Sequence, residues 1–110
     1  MHITSMGGVQ GSSKFPGLSL YSAAKGAVSI FTESLSTEWV DRGIAVNALA
    51  LGAVQTEMLD EAFPGLEAPV QPAEMGGYDA DFCLKGHRLF NGKILQVTGV
   101  KKREQKSAFF

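Results

Sequence analysis

Ile44-Ala-Val-Asn-Ala-Leu-Ala-Leu51 is a nearly unbroken apolar run of strand length. In a strand, successive side chains point to opposite faces, so a run apolar at both alternations offers neither face to water. That pattern suits a central strand of a parallel sheet better than a half-exposed one. Gly52 ends the run and Gly43 precedes it. Upstream, Ala24, Ala27, Val28, Phe31, Leu35 and Trp39 recur at three- and four-residue steps. Lys25, Thr32, Glu33, Ser36 and Asp41 fall mostly elsewhere, so the spacing predicts an amphipathic helix from about Ser19, stopped by Gly43 at its C′ position.

Before that helix, Gly7, Gly8 and Gly11 open a loop that runs through Pro16 and Gly17, and residues 2–5 read as the end of a short strand. Beyond Gly52, residues 53–71 read as loop with one short helix near 57–63. Pro72 suits a first helical position, followed by Glu74, Met75, Tyr78, Phe82 and Cys83 in weak helical register. Gly76 and Gly77 each cost that helix about 1 kcal/mol relative to Ala. Asn91-Gly92 signals a turn, and residues 93–98 a last strand. Strand, long helix, apolar strand, loop and helix, strand is the order of an α/β fold: a parallel sheet of about three strands with covering helices and right-handed crossovers.

The 110 residues allow one domain and one core, and 45% hydrophobic content with a mean hydropathy near zero marks a globular chain. A net charge of −1 gives no field to draw nucleic acid or an anionic membrane. The single cysteine, Cys83, rules out an internal disulfide framework and suits a reducing compartment; on the helix it is expected to be a small packed side chain. No segment has the apolar length of a membrane span, and Met1-His-Ile-Thr-Ser5 lacks the basic-then-apolar order of a leader, so the cytoplasm is expected. Met1 lies almost on top of the first strand, as in a chain that has lost what preceded it. Residues 1–100 form the expected domain. Residues 101–110, beginning Lys101-Lys-Arg-Glu-Gln-Lys106, form a polar tail expected to be poorly ordered.

Tyr21-Ser-Ala-Ala-Lys25 carries the chemistry. Tyr and Lys four positions apart lie on one helix face, one turn from each other, and an ammonium beside a phenol favours the phenolate. Ser5 stands sixteen residues before the tyrosine. A hydroxyl, a phenol and an ammonium in one place suit a reaction that makes or unmakes an alcohol. From the spacing alone, a surface lysine near a half-buried tyrosine is the commoner outcome, and the rest of the chain changes the balance.

Together with Ile3-Thr-Ser5 and Gly7-Gly8, Gly43-Ile-Ala-Val-Asn-Ala-Leu49, Gly52-Ala-Val-Gln-Thr56-Glu-Met58 and Asn91-Gly-Lys-Ile-Leu-Gln-Val97, that motif resembles the short-chain dehydrogenase/reductase family, specifically its C-terminal half, over residues 2–98. The resemblance implies a partial Rossmann-like fold and an oxidoreductase that moves hydride between NAD or NADP and a small-molecule carbonyl or alcohol. It implies that Tyr21 is the general acid/base, that Lys25 tunes it and holds the nicotinamide ribose, and that Ser5 hydrogen-bonds the substrate oxygen. Gly52, Val54 and Thr56 would line the nicotinamide end of the cofactor site. It also implies a homo-oligomer formed through the helix of residues 21–42.

Four departures from the family pattern qualify this. Ser5 lies a few residues farther from the tyrosine than is usual, which reads as a lengthened loop over residues 8–15; Ser12 and Ser13 are the less suitable substitutes. Leu51 stands where the family usually has proline. Thr98-Gly-Val100 leads into a basic tail rather than an acidic residue and two glycines. The nucleotide-binding half is missing: no G-x-x-x-G-x-G occurs, and the glycines of residues 7–11 have neither its spacing nor its context. A phosphate-loop reading of residues 8–14 fails as well, because Lys14 follows Ser13 and precedes Phe15.

No metal site is expected: His2 and His87 lack partners at ligand spacing and read as solvated side chains. Trp39, Phe31 and Tyr78 read as core or interface groups. Asp60, Glu61 and Glu67 read as solvent-exposed, with Met58, Leu59 and Phe63 as apolar residues of a loop over the substrate. Two other functions stay open: a non-catalytic half-domain that self-associates or binds a partner, and an epimerase or dehydratase using the same Tyr and Lys.

Overall fold

The computed structural model describes residues 1–53, 61, 65, 67–68 and 70–99. Strand β1 (His2–Ser5) runs into a 3-10 turn (Met6–Gly8), then helix α1 (Ser19–Glu38), a second 3-10 turn (Val40–Arg42) and strand β2 (Ala48–Leu51). Helix α2 (Pro72–Lys85), a third 3-10 turn (Gly86–Arg88) and strand β3 (Ile94–Val97) complete the order. The sheet is parallel in the order β1-β2-β3, with Ser5 beside Leu51 and Leu51 beside Val97 at its C-terminal rim. The expected α/β fold with a three-stranded parallel sheet is therefore present.

β2 is the middle strand, and Ala48, Leu49 and Ala50 are wholly buried. Burying Leu49 contributes about 1.5–3 kcal/mol on its own. The ladder takes up four of the eight residues of that run, since Ile44 is 44% exposed and residues 44–47 are not strand. Side chains there supplement the backbone bonds of Gly92 N–H to Val46 O and His2 N–H to Asn47 O: Val46 N–H donates to Asn91 Oδ1 at 2.9 Å. Buried Asn47 donates through Nδ2 to the Phe90 carbonyl at 2.9 Å and accepts the Lys93 N–H at 3.1 Å. The last strand likewise spans Ile94–Val97 rather than 93–98.

α1 corrects the expected orientation. Its buried residues are Ser29, Thr32, Leu35 and Ser36, whereas Ala24 and Ala27 are exposed and Phe31 is 55% exposed. The buried hydroxyls donate back along the helix: Ser29 to Lys25 O, Thr32 to Val28 O and Ser36 to Glu33 O. A hydroxyl satisfied in this way enters a core with much of its desolvation cost offset, and its small volume lets the helix lie close to the sheet. The α-helix also stops earlier than expected, at Glu38, and Gly43 (φ +72°) instead closes the 3-10 turn by donating to Val40 O.

α2 starts with Pro72 at its first turn, as expected, and buries Met75 and Phe82. Phe82 stacks between Tyr78 and Phe90 at 6.4 and 6.0 Å. Cys83 is exposed rather than packed, because it lies off the Met75–Phe82 face, and its thiol stands 3.8 Å from Met1 Sδ. The short helix expected near 57–63 and the tail of residues 101–110 lie outside the described residues, Glu61 apart. No helix among the described residues is long and apolar enough to cross a membrane.

Candidate functional site

Ser5 ends β1 at the C-terminal rim of the sheet, where open α/β folds hold their ligands. Its Oγ accepts the Gly7 N–H at 3.2 Å, which caps the 3-10 turn and leaves the hydroxyl proton free to be donated outward. The turn then lies against the first turns of α1. A Cβ built on Gly7 would stand 3.7 Å from both Ser5 Oγ and Tyr21 Cε1, and 3.3 Å from Ser22 Oγ. Ser5 and Tyr21 thus both approach one point beside Gly7.

Tyr21 is 42% exposed, and Lys25 extends its ammonium over the tyrosine ring, 5.6 Å from the centroid. The one-turn spacing does bring cation and phenol together, with the cation on the ring face where the π-electrons attract it. The structure brings Ser5, Tyr21 and Lys25 into one neighbourhood at the sheet's rim. Ser12 and Lys14 are held elsewhere. Ser12 donates to the Met6 and Val9 carbonyls, and Lys14 caps Val9 O at 2.9 Å and Ser12 O at 2.8 Å, tying the lengthened loop to itself.

Gly52 follows β2 at the same rim, and its N–H donates to Val97 O at 2.8 Å. A Cβ there would overlap the Thr98 side chain, standing 2.6 Å from its Cβ, so this glycine has a packing reason of its own. Val54 and Thr56, and with them Met58, Leu59, Asp60 and Phe63, lie outside the described residues; Glu61 and Glu67 are exposed. Among the described residues no three His, Cys, Asp or Glu side chains gather as a metal site. His87 is exposed as expected, but His2 is not a solvated bystander: it stacks on Phe31 at 5.7 Å and hydrogen-bonds Thr32.

Two neighbours of the site escaped sequence reasoning. Thr4, 2% exposed, donates its hydroxyl to the Lys25 carbonyl at 2.7 Å. Gly8 packs so closely on α1 that a Cβ would stand 2.5 Å from the Lys25 carbonyl carbon. The available signals were an inward-facing hydroxyl one position before Ser5 and a glycine pair directly after a strand.

Comparison with known proteins gives the same frame. Gluconate 5-dehydrogenase of Gluconobacter oxydans is 32% identical over 96 residues, which cover 76% of this chain and 38% of that protein. Acetoin dehydrogenase from Enterobacter cloacae superposes with a TM-score of 0.69 at 32% identity, over 88% of this chain and 39% of that one. The 3-ketoacyl-(acyl-carrier-protein) reductase from Brucella melitensis, crystallised with NADH, superposes with a TM-score of 0.69 at 27% identity, over 88% and 41%. The chain spans about a third of the length of the curated relatives it matches. The family model described as short chain dehydrogenase matches residues 2–67, and the chain belongs to that family.

Proposed function

We propose that this chain carries the proton-handling and nicotinamide-facing part of a short-chain dehydrogenase/reductase, an oxidoreductase acting on a small carbonyl or alcohol. The observation that carries the reading is the approach of the Ser5 hydroxyl and the Tyr21 ring to one point beside Gly7, with Lys25 over that ring. NAD(P)(H), held at its nicotinamide ribose by Tyr21 and Lys25, would supply or accept the hydride. In the reducing direction Ser5 donates its free proton as a hydrogen bond to the substrate oxygen, steadying the charge that grows there. Tyr21 gives its phenolic proton to the same oxygen, and the Lys25 cation stabilises the phenolate left behind.

The donor set fits the nicotinamide ribose, whose hydroxyls suit an ammonium and a phenol as partners. Gly52, Val54 and Thr56 are assigned to the same end of the cofactor. None of the chain's glycines has the G-x-x-x-G-x-G spacing that seats a pyrophosphate, so the other end of the nucleotide has no such anchor here. Little or no turnover is therefore expected of these 110 residues alone.

Saturation-transfer NMR on the 110-residue chain with millimolar NADH or NADPH tests the site. Transfer to the nicotinamide protons is expected, falling at least fivefold in Lys25→Ala and in Tyr21→Ala. Absence of transfer, or transfer indifferent to both substitutions, removes the proposal.

A second reading has its own support: a half-domain that self-associates. Leu20 is 85% exposed, Ile30 63% and Phe31 55%, an apolar flank along α1, and among the described residues β1 pairs on one side only. Sedimentation showing a monomer at 100-fold different concentrations, with a cooperative melt, excludes it.

A further inference from the structure

We propose that Thr4 is a positioning residue for Lys25: its buried hydroxyl fixes the strand that ends in Ser5 to the helical turn that carries Tyr21 and Lys25. The proposal rests on the function assigned above and adds the element that sets the spacing of its three groups. Thr4 is 2% exposed and donates to Lys25 O at 2.7 Å across a sequence separation of 21 residues. The same carbonyl accepts the Ser29 hydroxyl at 3.3 Å. Its position is thus held both from the strand and from within the helix.

A second contact holds the adjoining peptide. Gly8 sits on the Lys25–Gly26 segment, where a Cβ would come within 2.5 Å of Lys25 C and 2.7 Å of Gly26 N, and the Gly8 carbonyl lies 3.7 Å from the Cβ position of Gly26. Strand and turn therefore clamp α1 at one peptide. Along β1, Ser5 is the residue after Thr4; along α1, Tyr21 lies one turn before Lys25. A shift of the helix by a fraction of an ångström at this peptide changes the gap between Ser5 Oγ and the Tyr21 ring, and hydrogen bonding and close packing resist such a shift at a buried site. Thr4 touches none of the reacting atoms and acts through Lys25.

The test uses the full 110-residue chain and reads geometry rather than turnover. In the unsubstituted protein the Thr4 hydroxyl proton should exchange slowly and show a nuclear Overhauser cross-peak to the Gly26 amide proton. A hydroxyl in fast exchange overturns the proposal before any variant is made. Thr4→Val keeps the shape without the donor and should weaken the cross-peak between Gly7 Hα and the Tyr21 ring protons at least threefold, while Thr4→Ser restores it. The thermal midpoint of Thr4→Val should fall by about 4–8 °C, leaving the chain folded at 10 °C. An unchanged Gly7–Tyr21 cross-peak in Thr4→Val, or a loss not rescued by serine, refutes the anchor. A chain that passes these tests yet shows no transfer to NAD(P)H keeps the anchor and loses the function; transfer with an indifferent Thr4 does the reverse.

Discussion

His2 Nδ1 stands 2.7 Å from the hydroxyl of Thr32, a side chain with no solvent exposure. The threonine proton is already directed to Val28 O at 2.8 Å, so the hydroxyl receives from histidine rather than donating to it. This bonding pattern assigns the His2 proton to Nδ1, and the ring is held in place by stacking on Phe31 at an interplanar angle of 17°. Long-range proton–nitrogen NMR at pH 8 should find the Nδ1–H tautomer. In Thr32→Val the histidine should lose that preference, at a cost of about 0.5–1.5 kcal/mol in stability. An Nε2–H tautomer in the unsubstituted chain contradicts the assignment.

The same residues show where sequence reasoning succeeds and where it fails. The sheet was legible in the run ending at Leu51, because a strand buried on both faces must be apolar at both alternations. The helix was legible in its existence and not in its orientation. Ser29, Thr32 and Ser36 count as polar in any binary pattern, yet each closes its hydrogen bond on its own helix and is buried. Close approach favours them: a Cβ on Gly92 would lie 2.6 Å from Ser36 Oγ. At the candidate site, Tyr21 and Lys25 followed from helical spacing and Ser5 from its place at a strand's end. Thr4 and Gly8 did not, because their effect depends on a contact between segments some twenty residues apart.

Asn47 illustrates a role the apolar run concealed. It is 3% exposed and satisfies both the Phe90 carbonyl and the Lys93 N–H just ahead of β3. Asn47→Leu keeps the volume and leaves two part-buried backbone groups without their protein partner, which costs about 1–3 kcal/mol. Chemical denaturation should show that loss, with the midpoint falling and the slope unchanged. A change under about 0.5 kcal/mol would mean that water replaces both bonds.

Gly76 and Gly77 lie inside α2, and a Cβ on either would meet nothing within 4 Å. Neither has the positive φ that excludes alanine. Gly76→Ala and Gly77→Ala should therefore each stabilise the chain by about 1 kcal/mol, by reducing the backbone entropy lost on folding. Thermal melts should show a rise of about 4–8 °C for each. A fall in either variant would place an unseen neighbour against that face of the helix.

Asp79, also on α2, has one carboxylate oxygen buried with no hydrogen-bond partner among the described residues, and burial pushes its carboxyl above the ordinary range. The folded chain consequently holds this proton more tightly than the unfolded one. Stability then falls as pH rises from the unfolded value toward the folded one. The penalty is absent below the former and complete above the latter. Asp79→Asn keeps the shape and removes the charge, so it should melt higher than the parent at pH 7. That advantage should shrink steadily as the pH is lowered through about 4. Paired thermal melts from pH 7 to pH 3.5 measure the difference directly and cancel the other carboxylates common to both proteins. An advantage that grows on acidification would mean that Asp79 is stabilised as the anion, by a partner that compensates its burial.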